Sequence, residues 1–260
     1  MLQNIILLTP QPQQQFAIGA LFKEHNPALT FTPAITPQDL AAIDPATLRR
    51  SRLIAFTSGT IVSAKTLHDL GYGAYNFHPG PPEYPGWAPA HFALYERTRA
   101  FGVTAHVMTE RVDDGPIVGV ERFTVPIGIS VRGLEQIAYV RLAHLLWRLA
   151  RDLATQAEPF QTLPVTWGRQ KSTRGMYAAM CDIPINIMKE ELDQRMKAFH
   201  DNFRGMAPTV TLHGFKFRAV AELPTASKNA EPPSKTIEQP SRLQKLPAAE
   251  MQRLQKKRYA

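Results

Sequence analysis

Apolar and polar positions along this chain fall into short blocks, and the period of the pattern changes from block to block. Residues 4–9 (NIILLT) are an almost unbroken apolar run bounded by polar residues, which predicts a buried strand. A helical pattern near 13–25 follows, then extended runs at 29–35 and 52–58, with short helical patterns at 37–48 and 62–70 around the second of them. Residues 73–78 read as a strand, 88–96 as a helix, and 103–108 and 117–125 as extended. The longest helical pattern is 133–153. Leu134, Ile137, Ala138, Leu142, Leu145, Leu146 and Leu149 recur there at spacings of three and four and predict one buried stripe. Strands alternating with helices predict an α/β class: a mostly parallel, Rossmann-like sheet with helices on both faces.

After Pro159 the rhythm changes. Residues 166–180 are rich in basic and aromatic side chains without a clear period, and 190–203 predict a helix. Residues 209–212 and 215–220 flank His213-Gly214 as a small hairpin. From Ala226 the chain turns to Lys, Pro, Gln, Ser and Glu, a composition that buries little surface, although 243–258 could form a short helix if something docked on it. The predicted division is therefore 1–158 for the main domain, 159–224 for a small α+β C-terminal subdomain, and 225–260 for a basic, flexible tail.

Composition narrows the class without naming a chemistry. The 260 residues are 44% hydrophobic and 20% charged, as in an ordinary soluble chain with a full core. The N-terminal apolar run is too short for a secretory signal, and no stretch approaches the roughly 20 apolar residues of a membrane span. The lone cysteine, Cys181, can form no intramolecular disulfide and suits a reducing compartment, so a cytoplasmic location is expected. The net charge of +8 is uneven, because 225–260 hold eight Lys/Arg against three Glu. A basic balance concentrated in a tail points away from nucleic acid as the main partner.

Two stretches carry candidate chemistry. In "NFHPGPPEYPGW", Asn76 and His78 share one face of a predicted strand, with Phe77 opposite. They stand at a carboxyl strand end, where open α/β sheets bind ligands. Pro79, Pro81, Pro82 and Pro85 stiffen the loop that follows, while Gly80 and Gly86 permit close approach. On spacing alone a loop capped by Asn and His explains this equally well. In "VTAHVMTERVDDGPIV", Thr104 and His106 share a strand face and Asp113-Asp114 precedes Gly115-Pro116. A carboxylate there could orient His78 and take part in proton transfer, although Asp-Asp-Gly-Pro is also a common turn.

Taken together, the two stretches resemble the folate-dependent formyltransferases, among them glycinamide ribonucleotide formyltransferase, methionyl-tRNA formyltransferase, the sugar N-formyltransferases and formyltetrahydrofolate hydrolase. The resemblance rests on Asn76-Phe77-His78, Gly86-Trp87-Ala88-Pro89, Gly102-Val103-Thr104-Ala105-His106 and Asp113-Asp114-Gly115, in family order and at family-like spacing. It covers roughly residues 1–155, with its specific part in the middle third. It implies a formyltransferase catalytic domain over 1–158 and catalytic roles for Asn76, His78 and Asp113. It also implies 10-formyltetrahydrofolate as formyl donor and a primary amine as acceptor. In that reaction attack on the formyl carbon creates an oxyanion. Asn76 and a protonated His78 would meet that charge, and Asp113 would favour the imidazolium and help move the proton.

The resemblance leaves the acceptor open. Many members follow His-x with Ser-Leu-Leu-Pro, whereas this chain has Gly80-Pro81-Pro82-Glu83. Methionyl-tRNA formyltransferases carry a larger C-terminal barrel than 160–224 would build, and the hydrolase carries an N-terminal regulatory domain, while this chain begins at its first strand. A nucleotide-linked amino sugar is the leading acceptor. The alternatives are the hydrolase, whose Ala-Thr-Ala-His run resembles Val103-Thr104-Ala105-His106, a methionyl-tRNA formyltransferase-like enzyme, and a degenerate folate fold with an RNA-binding tail. No membrane partner is expected, and a homodimer is admitted. His25, His68, His91, His144, His200 and His213 show no paired metal spacing. Ser58-Gly59-Thr60 reads as an N-cap or an anion cradle, with the segment around 56–62 along the folate pocket in relatives. Arg169, Lys171, Arg174 and Tyr177 read as a solvated basic face or a diphosphate grip. Trp147 and Trp167 read as packing residues.

Overall fold

A computed structural model describes residues 1–201 and 204–219. The elements, in chain order, are β1 (Asn4–Leu8), α1 (Pro12–His25), β2 (Thr30–Ala34), α2 (Pro37–Ala41), α3 (Pro45–Leu48), β3 (Ser51–Phe56), α4 (Ala64–Asp69), β4 (Ala74–His78) and α5 (Pro89–Tyr95). They continue with β5 (Ala100–Val107), β6 (Ile117–Thr124), α6 (Val131–Thr155), α7 (Arg174–Cys181), α8 (Lys189–Phe199), β7 (Thr209–Leu212) and β8 (Phe215–Arg218). The six-stranded sheet has the order β2-β1-β3-β4-β5-β6. Pairings from β2 through β4 are parallel, and β5 and β6 are antiparallel, so the expected mostly parallel α/β sheet is what forms.

Strand alternation divides the core. Ile5, Leu7, Ile54, Phe56, Tyr75 and Phe77 belong to the cluster beneath α1, α5 and α6, whereas Ile6, Leu8, Leu53, Ala55 and Ala74 join Leu40, Leu48 and Leu70 in a second cluster. Covering both faces is what an unbroken apolar run such as Ile5–Leu8 requires. Helix starts follow local chemistry. Pro12, Pro37, Pro45 and Pro89 open their helices, and Thr36, Asp44, Ser63, Ser130 and Thr173 cap theirs with side-chain oxygens.

The α6 stripe is as expected at Leu134, Ala138, Leu142, Leu145 and Leu146, all buried. Trp147 is a correction. It is 60% exposed and stacks on His144 at the surface rather than packing in the core. Residues 174–181 form a helix that the periodicity missed, because two buried positions, Tyr177 and Cys181, are too few to display a period. Residues 202–203, Val220, the predicted tail over 225–260 and the helical stretch at 243–258 lie outside the described residues. Among the described residues no helix is long and apolar enough to cross a membrane.

Candidate active site

β4 ends at the carboxyl edge of the sheet, beside the end of β3, and its two-residue period turns Asn76 and His78 to one side while Phe77 enters the core. β5 runs antiparallel beside it in a register that sets His106 opposite Asn76 and Thr104 opposite His78. The Thr104 hydroxyl donates to the Gly80 carbonyl at 2.8 Å, which ties the loop after β4 back to β5. A Cβ at Gly80 would lie 2.6 Å from His78 Nε2, so the loop passes too close to the imidazole for any side chain. Pro81, Pro82 and Pro85 are buried and hold the loop in that path.

Asp113 reaches the same point from the turn between β5 and β6. It is buried and has a φ of 43°, a left-handed conformation that Asp tolerates better than most side chains. Its Oδ2 accepts the Gly86 N–H at 2.8 Å and lies 3.4 Å from His78 Nδ1. Its Oδ1 lies 3.3 Å from His106 Nε2 and 3.5 Å from Asn76 Nδ2. Asn76 Nδ2 also donates to His106 Nε2 at 3.1 Å. Gly86 has a φ of 96°, and a Cβ on it would meet the Ser172 carbonyl oxygen at 2.2 Å. Neighbouring Asp114 points outward with 46% of its side chain exposed. The structure therefore brings together Asn76, His78 and Asp113, and adds His106.

Hydrogen bonding assigns the protons. His78 Nε2 is 3.0 Å from the Tyr84 carbonyl and His106 Nδ1 is 2.9 Å from the Val107 carbonyl. Carbonyls only accept, so these nitrogens carry hydrogens, and the opposite ones, Nδ1 of His78 and Nε2 of His106, face Asp113. Burial pulls the His78 imidazolium down more than Asp113 and the Tyr84 carbonyl hold it up, so the resting ring is neutral. That differs from the protonated His78 expected from the sequence, because complete enclosure by protein is invisible there. Burial pushes the Asp113 carboxyl up, but His78, His106 and the Gly86 N–H outweigh it and bring it to about 2, so the group is ionised. A carboxylate facing the free Nδ1 of a neutral His78 is a place where one more proton can be held. Among the described residues no group of three His, Cys, Asp or Glu is arranged to hold a metal.

These residues form the floor of a cavity of about 490 Å³, a volume within the usual range for small-molecule sites. One wall is 57–62 after β3, where Ser58 accepts from Thr60 N–H within its own turn; Ser63, not Ser58, caps the next helix. The opposite wall carries Trp87, with the Arg204 guanidinium 5.4 Å from its ring centre. Of the four residues read as a basic face or diphosphate grip, only Lys171 lines the cavity. Arg169 and Arg174 are exposed, and Tyr177 is fully buried against Trp87, His91 and Phe199 rather than free to stack on a ligand. Trp87, Arg111 and Arg204 were not singled out in the sequence as site residues. His106 was legible as a face-mate of Thr104, but only strand register shows it opposite Asn76.

The comparisons with known proteins converge on one family. A family model described as formyl transferase matches residues 44–139, the span that contains Asn76, His78, His106 and Asp113. A methionyl-tRNA formyltransferase of Listeria monocytogenes is 28% identical over 120 residues, which cover 46% of this chain and 36% of that protein. One from Pseudothermotoga lettingae is 38% identical over 66 residues, covering 25% of this chain and 22% of that protein. The chain thus spans about a third or less of the length of these relatives. A sugar N-formyltransferase from a Shewanella species superposes with a TM-score of 0.67 at 18% identity, covering 86% of this chain and 99% of that one. A 4-N formyltransferase from Francisella tularensis gives 0.65 at 17%, covering 85% and 98%. At these identities the structural likeness is one of fold. The formyltransferase resemblance drawn from the four motifs is the one these matches bear out.

Proposed function

We propose that this chain transfers a formyl group from 10-formyltetrahydrofolate to a primary amine carried by a nucleotide-linked sugar. The observation that carries the reading is the convergence of Asn76, His78 and Asp113, from two distant motifs, on the floor of one cavity. In this reading the amine nitrogen attacks the formyl carbon and a tetrahedral oxyanion forms. The Asn76 amide, whose hydrogen directed at Asp113 has only a long 3.5 Å contact, is the donor best placed to turn to that oxygen. The proton lost by the attacking nitrogen enters between His78 Nδ1 and Asp113 Oδ2. The carboxylate stabilises the imidazolium, which then returns the proton to the leaving folate nitrogen as the carbon–nitrogen bond breaks. His78 is a base here, held neutral beforehand by its burial.

The acceptor rests on more distant support. Lys171, Arg111 and Arg204 outnumber the carboxylates Glu110 and Asp113 around the cavity, which favours an anionic substrate. A Helicobacter canadensis N-formyltransferase with TM-score 0.53 was crystallised with folinic acid and dTDP-3-aminofucose, so this fold can hold both kinds of ligand.

The deciding experiment is release of tetrahydrofolate from 10-formyltetrahydrofolate, with amines added singly. Release that requires a nucleotide-linked amino sugar is the expected result. Dependence on methionyl-tRNA would replace the acceptor, and release without any amine would make the protein a hydrolase. The kcat/KM profile should lose activity on the acid side only below the ordinary histidine range, since the base form of His78 persists there. An acid limb at or above that range would move the base to another group.

A further inference from the structure

A segment outside the matched family span crosses the back of the site. Residues 163–173 bond to both halves of the catalytic cluster in turn. Leu163 N–H donates to the Ile117 carbonyl at 2.7 Å, and Gly168 N–H to the Pro82 carbonyl at 2.8 Å. Ser172 N–H donates to Pro85 and Trp87 N–H to Ser172, both at 2.9 Å, while the Ser172 hydroxyl reaches the Trp87 carbonyl at 2.7 Å. The Lys171 ammonium donates to the Val112 carbonyl, one residue before Asp113. This strap joins the loop after β4 to the turn after β5.

Trp167 sits at the crossing. Its indole N–H donates to the Gly115 carbonyl at 2.8 Å, two residues after Asp113. Its ring meets His106 at 5.0 Å and 89°, and His78 at 5.8 Å and 79°, so one indole stands edge-on to both imidazoles. Each imidazole has one nitrogen on a backbone carbonyl and the other facing Asp113, with Asn76 also on His106 Nε2. Contacts at the two nitrogens leave the ring free to tilt about the line between them, and the indole bears on that tilt. The half-buried indole also lies over rings that are themselves buried, where it keeps water from them.

We propose that Trp167 is a positioning residue of this site: by packing against His78 and His106 and holding the Gly115 carbonyl, it fixes the angle at which both imidazoles meet Asp113. The inference rests on the acid–base role given above to His78 and Asp113. The titratable groups facing His78 are Asp113, from the β5–β6 turn, and His106, from β5 beyond it; the strap adds only Lys171, whose ammonium is turned to Val112. Removing the indole therefore changes the hydration and tilt of His78 without removing a charge from it.

The test compares wild type with Trp167→Leu and Trp167→Phe in the full chain. The first measurement is the imidazole nitrogen NMR titration of His78, assigned with His78→Gln. In Trp167→Leu the midpoint should move up by about one pH unit as water reaches the ring, and Trp167→Phe should restore part of the difference. The second is formyl transfer, where kcat should fall about 10- to 100-fold in Trp167→Leu while KM for both substrates stays within about threefold. A lowered melting temperature with unchanged titration and kcat would reduce Trp167 to a packing residue, and a raised KM with unchanged kcat would make it a substrate contact; either overturns the proposal. If wild type transfers no formyl group to any amine, the functional reading fails, and the NMR titration alone decides the placement of His78 by Trp167. Should Trp167→Leu not fold, Trp167→Phe carries the same comparison with a smaller displacement.

Discussion

Asp113→Asn should lower turnover by about 10²- to 10⁴-fold while the protein stays folded. The amide is the same size as the carboxyl and can still accept the Gly86 N–H, which in the native protein is bonded at 2.8 Å. It cannot hold an extra proton against His78 Nδ1, and its NH₂ would give that nitrogen a fixed hydrogen instead. The proton from the amine then has no anionic partner, and the imidazolium forms alone in a buried site. Asp114→Asn is the control. That side chain is 46% exposed and lies 4.0 Å from Lys171, so turnover should remain within about threefold of wild type. Steady-state kinetics with thermal melts of both variants separate chemistry from folding. Equal losses in the two would argue that the effect is one of loop charge, and a reversal would move the acid–base role to Asp114.

The largest stability effect should come from Arg52, far from the chemistry. It is fully buried at the start of β3, at the edge of the sheet opposite the site, and its guanidinium donates to backbone carbonyls. Nε donates to Tyr72 at 3.0 Å, Nη1 to Leu153 at 2.6 Å and Asp152 at 3.3 Å, and Nη2 to Gln156 at 2.8 Å. Three of those carbonyls lie at the C-terminal end of α6, the negative end of the helix, where the Asp152 carbonyl also accepts the Gln156 N–H. The rings of Tyr75 and Phe160 stand 5.4 and 5.6 Å from the guanidinium carbon. Burial lowers the pKa of the group, yet guanidinium stays charged in proteins.

Arg52→Met takes the donor from the buried Leu153 carbonyl and from the part-buried carbonyls of Tyr72 and Gln156, and should cost about 3–5 kcal/mol, the range seen when one side of a buried polar arrangement is deleted. For a chain of this size that is roughly a 10 °C fall in melting temperature. Turnover per folded molecule at 25 °C should be unchanged. Arg52→Lys should recover only part of the loss, because an ammonium cannot reproduce the planar fork that spans these carbonyls. Denaturant unfolding read beside kcat makes the check. A loss under about 1 kcal/mol would show that water replaces the guanidinium at the end of α6.

What the sequence determined is what repeats over a few residues. Two-residue alternation sets Asn76 and His78 on one side of β4 and divides Ile5 and Leu7 from Ile6 and Leu8. The α6 stripe and the prolines and hydroxyls that open helices are equally local, since each acts within one turn of its own backbone. The candidate site motifs were legible through their resemblance to a family pattern, which places the acidic residue two positions before the glycine, at Asp113. The structure buries Asp113 and leaves Asp114 half exposed.

What only the tertiary structure decided involves residues far apart in the chain. His106 meets Asn76 across 30 residues because β5 happens to pair in that register, and Trp167 reaches Gly115 across 52 because the strap folds back over the turn. Tyr177 became core and Trp147 surface, against their readings, because which side of a helix is covered depends on what packs on it. The neutral state of His78 belongs here too. Its residue type and its partner Asp113 were in the sequence, but enclosure by Tyr84, His106 and Trp167 decided between desolvation and attraction. Periodicity is a property of neighbours along a chain, whereas burial is a property of neighbours in space, and the protonation of a buried site follows the second.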